Sequence, residues 1–178
     1  MIVYETSRLQ LSTWELKDFD DFAIIARDPR VMQFIAEGKP WPDSRIGWFM
    51  GIQKALQDSL GYCNWKLVHR ASDELIGFCG LAPFKPAEAP EIGWWIKPSH
   101  WGHGYAFEAA SHVMDHASAD HRLQRLVARA YRANTRSTKL MERLGMQYDS
   151  ILDTNSIGEV VLYAIDLPAR DQGVIASA

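Results

Sequence analysis

Glu91-Ile-Gly-Trp-Trp-Ile-Lys-Pro-Ser-His-Trp-Gly-His-Gly-Tyr-Ala106 is the stretch on which the reading of the chain turns. Glu91 to Ile96 has strand character and is closed by Lys97-Pro98; Gly102 and Gly104 follow, and a helical pattern begins at Ala106. A strand that passes through a glycine turn into a helix offers unpaired backbone N–H groups and a positive helix end to an anion. A phosphate or pyrophosphate suits that arrangement, and so does a plain turn with glycine at positive φ. The dinucleotide fingerprint lacks its third glycine and the phosphate-loop signature lacks Gly-Lys-Ser/Thr, which disfavours an ordinary NAD or ATP site.

Working outward, Trp65-Lys-Leu-Val-His69 and Leu75-Ile-Gly-Phe-Cys-Gly-Leu81 read as strands around the turn-rich segment 70–74, and 83–90 is a proline-rich loop. Residues 8–14 alternate apolar and polar as a first strand. Phe19, Phe22, Ala23, Ile25 and Ala26 fall at helical spacing, and Asp28-Pro29 ends that helix because the residue before proline is pushed out of the helical region. After a loop at 38–42, Asp43 or Ser44 caps a second helix that ends near Gly61. Downstream, 106–119 is an alanine-rich helix, 126–131 a buried strand, 137–144 a helix stopped by Gly145, and 160–165 a last strand. Strands followed by separate helices, with no strict alternation, predict an α+β sheet with helices on both faces.

At 178 residues the chain has room for one domain. A net charge of −3, with 19 basic and 22 acidic residues and no long basic run, gives no footprint for nucleic acid. No window approaches 18 consecutive apolar residues and no signal-peptide pattern opens the chain, so no membrane segment is expected. Cys63 and Cys79 sit in apolar settings, which favours a reducing compartment and a cytoplasmic location. Of six histidines, His112 and His116 are spaced i and i+4, but no third ligand follows and no metal is expected. Seven tryptophans are many for this length, and large rings belong in cores or in pockets with one wet end.

A second motif follows the strand at 126–131: Asn134-Thr-Arg-Ser137, running to Glu142-Arg-Leu-Gly-Met146, a capped helix with a glycine stop. Taken with Glu91–Ile96 and Trp101-Gly-His-Gly-Tyr-Ala-Phe-Glu-Ala109, it resembles the GNAT acyl-CoA-dependent N-acetyltransferases, and within them the RimJ/RimL-like group, over residues 6 to 167. The resemblance implies a mixed, mostly antiparallel central sheet with a splayed strand pair. It makes residues 1–168 a single acyl-CoA N-acyltransferase domain, with 169–178 a loose tail. Acetyl-CoA is the implied cosubstrate, wedged between the two splayed strands. The backbone of Trp94, Trp95 and Ile96 would pair with its pantetheine arm, and Trp101, Gly102, His103, Gly104, Tyr105 and Ala106 would hold its pyrophosphate. Asn134 and Ser137 would contact the arm, and Arg136, Lys139 and Arg143 are candidates for its 3′-phosphate, although a solvated basic face is the commoner meaning of such a run.

The resemblance further implies Ser137 beside the sulfur as a hydrogen-bond donor or proton relay, since the tyrosine that many GNAT enzymes carry seven residues after the asparagine is here Met141. Glu91 is the candidate base, direct or through water, with a structural carboxylate as the bland alternative. Trp41, Trp48, Phe49 and Glu91 would border the acceptor, a peptide N-terminus or an amine-bearing small molecule. Few residues are left beyond the fold, so the acceptor site is built from the first two helices or from a partner chain, which makes a homodimer one expectation. A noncatalytic acyl-CoA-binding module and a nucleotide-binding protein are the competing readings.

Overall fold

Period-two patterning and close glycine contacts produce one eight-stranded sheet, which the computed structural model describes within residues 1–120 and 122–168. The expected loose tail at 169–178 and His121 lie outside the described residues. The strands are β1 (Ile2–Glu5), β2 (Leu9–Ser12), β3 (Asn64–His69), β4 (Glu74–Ala82), β5 (Glu91–Ile96), β6 (Arg125–Tyr131), β7 (Gln147–Asn155) and β8 (Gly158–Asp166), in spatial order 1-2-3-4-5-6-8-7. Every pairing is antiparallel except β5 with β6. The expected α+β architecture is therefore the observed one.

Helices cover both faces. On one, α4 (Tyr105–Ala119) buries Ala109, Ala110, Val113 and Ala117 against Leu11, Trp65, Leu67, Ile92 and Leu126, and its small residues let the helix axis lie close to the sheet. Met141 of α5 (Thr135–Arg143) joins the same core. On the other face, α1 (Phe19–Ala26), the one-turn α2 (Pro29–Met32) and α3 (Asp43–Leu60) enclose Phe22, Ile25, Met32, Ile46, Phe49 and Phe78. A buried ion pair, Lys66 Nζ to both carboxylate oxygens of Asp18 at 2.7 Å, ties β3 to the segment that starts α1. A charge so placed is tolerable only because its partner is present.

Four elements depart from the sequence expectation. β1 and β7 are the two edge strands, and β7 is mostly exposed with two register shifts, so no apolar alternation announces it. α2 was hidden because Asp28-Pro29 both follows one helix and starts another: the Asp28 carboxylate accepts from Arg30 N–H, with Pro29 at the first helical position. α3 is capped by neither Asp43 nor Ser44. Pro42 holds the cap position without a side-chain bond, and the Asp43 carboxylate accepts from Arg27.

β4 positions the chemistry-bearing strand β5 through pairs running from Gly77↔Ile96 to Ala82↔Glu91. Gly77 sits at φ +154° beside a register shift against β3, and a Cβ placed there would lie 1.9 Å from the Trp95 carbonyl oxygen. Gly77→Ala is expected to destabilise the protein by about 2–3 kcal/mol, read as a Tm lower by roughly 4–12 °C. An unchanged Tm would mean that β5 moves away from β4 at no cost.

Candidate active site

β5 and β6 run parallel and stay paired at one position only, Glu91↔Val127, where Val127 N–H donates to Pro90 O at 3.0 Å. Beyond it the strands diverge. β6 keeps a seven-pair ladder with β8, and β5 keeps its ladder with β4, so the gap opens between two rigid halves. The Ile96 carbonyl faces the gap, since it accepts from Trp101 Nε1 at 2.7 Å, and strand alternation puts the Trp94 peptide groups on that same open edge. An unpaired inner edge of this kind is a template for an extended partner.

The gap widens into a cleft of about 910 Å³. Of the residues singled out from sequence, Trp94, Trp95, Ile96, Trp101, Gly102, Gly104, Tyr105, Ala106, Asn134, Ser137 and Arg143 line it together, with Arg136 and Lys139. His103 instead faces an adjoining groove that shares Gly102, Gly104 and Arg143 with the cleft. Gly102 and Gly104 both have φ +81°, and a Cβ at Gly102 would meet nothing within 4 Å. The turn therefore presents bare backbone to open space at the N-terminus of α4, a cradle that suits a pyrophosphate.

Side chains brace this turn from behind and in front. Glu108 accepts from the Thr6 and Ser7 hydroxyls and pairs with Arg8, whose Nη1 donates to His103 O at 2.9 Å. Tyr105 Oη lies 3.1 Å from His69 Nε2. Burial lowers the pKa of His100, against the opposing pull of Glu74. Over the cleft, the Arg136 guanidinium lies 4.4 Å above the Trp101 ring and that of Arg143 3.9 Å above Phe107.

α5 supplies the second wall. Asn134 Oδ1 accepts from Ser137 N–H at 3.4 Å, which caps the helix and leaves the Asn134 amide NH2 as a donor. Ser137 Oγ makes no hydrogen bond among the described residues. Met141 is buried in the core.

The acceptor-side candidates are scattered. Glu91 sits at the apex of the gap, outside the cleft lining, and its Oε1 accepts from Arg129 Nε at 2.9 Å. Burial raises the Glu91 pKa, and Arg129 opposes that. Trp41 packs edge-on against Trp95 at 4.7 Å, and Phe49 lies parallel to Trp95 at 6.5 Å, so both stand behind the lining. Trp48 is 65% exposed. Phe34 and Ile35, after α2, do line the cleft, in a segment held by Tyr131 Oη donating to Ala36 O at 2.9 Å. Sequence reasoning missed this segment together with α2, and a second start at Asp28-Pro29 was the signal that would have found it.

Among the described residues no three or more His, Cys, Asp or Glu side chains are grouped to hold a metal; His112 and His116 pack against the Tyr4 ring at 5.5 and 4.7 Å. No helix there is long and apolar enough to cross a membrane. Cys63 and Cys79 are buried and unpaired, and burial pushes the Cys63 thiol up to about 12.

Comparison with known proteins agrees with this geometry. Residues 8–147 match the family described as "Acetyltransferase (GNAT) domain". The chain is 32% identical over 150 residues to an uncharacterised N-acetyltransferase of Bacillus licheniformis, covering 83% of each. It is 26% identical over 149 residues to a ribosomal-protein-serine acetyltransferase of Escherichia coli, covering 74% of this chain and 83% of that one. Among solved structures, RimL, a ribosomal L7/L12 alpha-N-protein acetyltransferase in complex with coenzyme A, superposes with a TM-score of 0.81 at 16% identity, covering 95% of this chain and 99% of that one. With a family match across most of its length, the chain belongs to the GNAT acetyltransferases and is an acetyl-CoA-dependent acyltransferase, and among them it is similar to the ribosomal-protein acetyltransferases just named.

Proposed function

We propose that the protein is an N-acetyltransferase that moves the acetyl group of acetyl-CoA to a primary amine, on a peptide N-terminus or a small molecule, by direct attack. The observation that carries this reading is the open edge of β5 facing the bare Gly102–Gly104 turn and the unbonded Ser137 hydroxyl within one cleft. The backbone of Trp94 and Ile96 would bind the pantetheine arm, the turn and the N-terminus of α4 the pyrophosphate, and the Asn134 amide NH2 a carbonyl of the arm. Arg136, Lys139 and Arg143 would take the remaining phosphate charge. The buried, unpaired cysteines suit a reducing compartment, which supports a cytoplasmic location.

The cosubstrate supplies a thioester carbonyl: a C–N bond forms, the C–S bond breaks, and the ammonium form of the acceptor gives up two protons, one of which ends on the departing sulfur. Glu91 takes the first proton. Because its carboxylate stands outside the cleft lining, that transfer runs through water. Ser137 Oγ relays a proton to the sulfur. An α-amino group, with a pKa near about 8, is neutral far more often at pH 7 than a lysine near about 10.4, so an N-terminal amine asks less of the base. The name of the Escherichia coli relative, a ribosomal-protein-serine acetyltransferase, supports a peptide N-terminus as one acceptor to test.

A thiol-release assay with acetyl-CoA and a panel of peptides, amino acids and polyamines tests the reaction. Release with at least one amine is expected, whereas tight CoA binding with no release for any would favour a noncatalytic acyl-CoA-binding module. In a thermal-shift experiment CoA should raise the Tm more than ATP does. Ser137→Ala is expected to lower kcat by on the order of 10²-fold with little change in acetyl-CoA affinity. Gly104→Val should mainly weaken CoA binding, by about 10- to 100-fold, through strain at its left-handed backbone. An unchanged rate in the first removes Ser137 from the mechanism; unchanged affinity in the second removes the turn from the phosphate site.

A further inference from the structure

One charged side chain beside the site has no part in the steps above. Arg129 of β6 reaches across the strand gap so that its Nε donates to Glu91 Oε1 at 2.9 Å, while its guanidinium lies 5.0 Å over the Phe84 ring. We propose that Arg129 is the positioning residue of the base: it holds the Glu91 carboxylate at the apex of the gap and commits one of its oxygens, leaving the other for the water that carries the acceptor's proton. The inference rests on the reading of Glu91 as the base.

The geometry follows from the point at which the strands part. Glu91 pairs with Val127, so continued parallel pairing would bring Gly93 and Arg129 level with each other two residues on. Pairing stops, and Gly93 has no side chain to fill the space: even a Cβ there would find its nearest neighbours at 3.9 and 4.0 Å. Alternation puts Glu91, Gly93 and Trp95 on one face of β5. Arg129 can therefore turn back to Glu91 on that face. Phe84 holds the guanidinium from the other side, which fixes the orientation of a side chain that is itself 49% exposed. Only Oε1 of Glu91 is engaged, and Oε2 accepts no hydrogen bond among the described residues.

The electrostatics act in opposite senses. Burial favours the protonated acid, and the Arg129 charge together with its hydrogen bond favours the carboxylate. The residues paired across from Glu91 on either side, Ala82 of β4 and Val127 of β6, carry no charge. Arg129 is the one charged group among the described residues that acts on it. Removing that charge leaves burial unopposed, so Glu91 keeps its proton to higher pH and is a base over a narrower range.

The test follows the Glu91 carboxyl carbon by ¹³C NMR, assigned with E91Q, alongside the pH dependence of kcat/KM for an acceptor found in the amine panel. In R129Q the Glu91 midpoint should rise, and the rate should fall more at pH 6 than at pH 8.5; R129K should return both toward wild type. In the wild-type protein, raising the salt concentration should move the midpoint in the same direction, by a smaller amount, by screening the half-exposed Arg129, a check that needs no variant to fold. A midpoint that does not move in R129Q or with salt, or a rate loss equal at every pH, would overturn the inference and leave Arg129 a strand tie. E91Q separates the two failures. A full rate in E91Q removes the base reading itself. A loss of on the order of 10²- to 10⁴-fold in E91Q, with R129Q titrating as wild type, removes only the role of Arg129.

Discussion

The parallel contact between β5 and β6 that ends after one pair is the constraint on which the rest of the structure depends. Each strand is fully laddered on its other side, so neither can swing to close the gap without breaking the ladder of β4 or β8. Trp101 keeps the opening in shape. Its indole N–H satisfies the Ile96 carbonyl, and its ring packs against the cores on both sheet faces, filling space that a paired strand would need. An unpaired strand edge inside a protein is costly unless its polar groups find partners, and a ligand with a peptide-like arm is such a partner.

The phosphate site proposed above would owe little to net charge. The chain carries −3 overall, yet the cleft gathers Arg30, Arg136, Lys139 and Arg143 around a turn of bare amides. Two of these arginines, Arg136 and Arg143, sit over aromatic rings of the cleft, contacts that do not use their hydrogen-bond donors. The aromatic excess seen in the composition divides accordingly. Trp94, Trp95 and Trp101 line the cleft, Trp41 supports Trp95 from behind, Trp65 is fully buried, Trp14 is anchored by its Nε1 donating to Asn64 O at 2.6 Å, and Trp48 lies open on α3.

How much was legible in the sequence varied with how local the signal was. Glu91–Ile96, Trp101–Ala106 and Asn134–Gly145 declare themselves, because a strand end, two glycines and a helix cap are each written within a few residues. β7 and β1 declare nothing, since an exposed edge strand is held by its neighbour's backbone and needs no apolar alternation of its own. The lining of the cleft was only partly legible for a similar reason. Trp41, Trp48 and Phe49 are the large rings nearby in the chain, but which side chains face the cleft depends on how the segments around α2 and α3 pack against the sheet. That packing puts Phe34 and Ile35, after α2, on the lining and leaves Trp48 exposed on α3.

The amino-acid order by itself determined the class of fold, the glycine turn after β5 and the capped helix that shares its cleft, because these follow from periodicity, glycine backbone freedom and capping over short spans. Only the tertiary structure decided that Glu91 would meet Arg129, residues 38 positions apart, that Ser137 would stand unbonded in the same cleft as the glycine turn, and that the segment after α2 would line that cleft. Those contacts exist because two sheet halves diverge at one residue pair. The angle between them is set by packing summed over both cores, which no local stretch of the chain encodes.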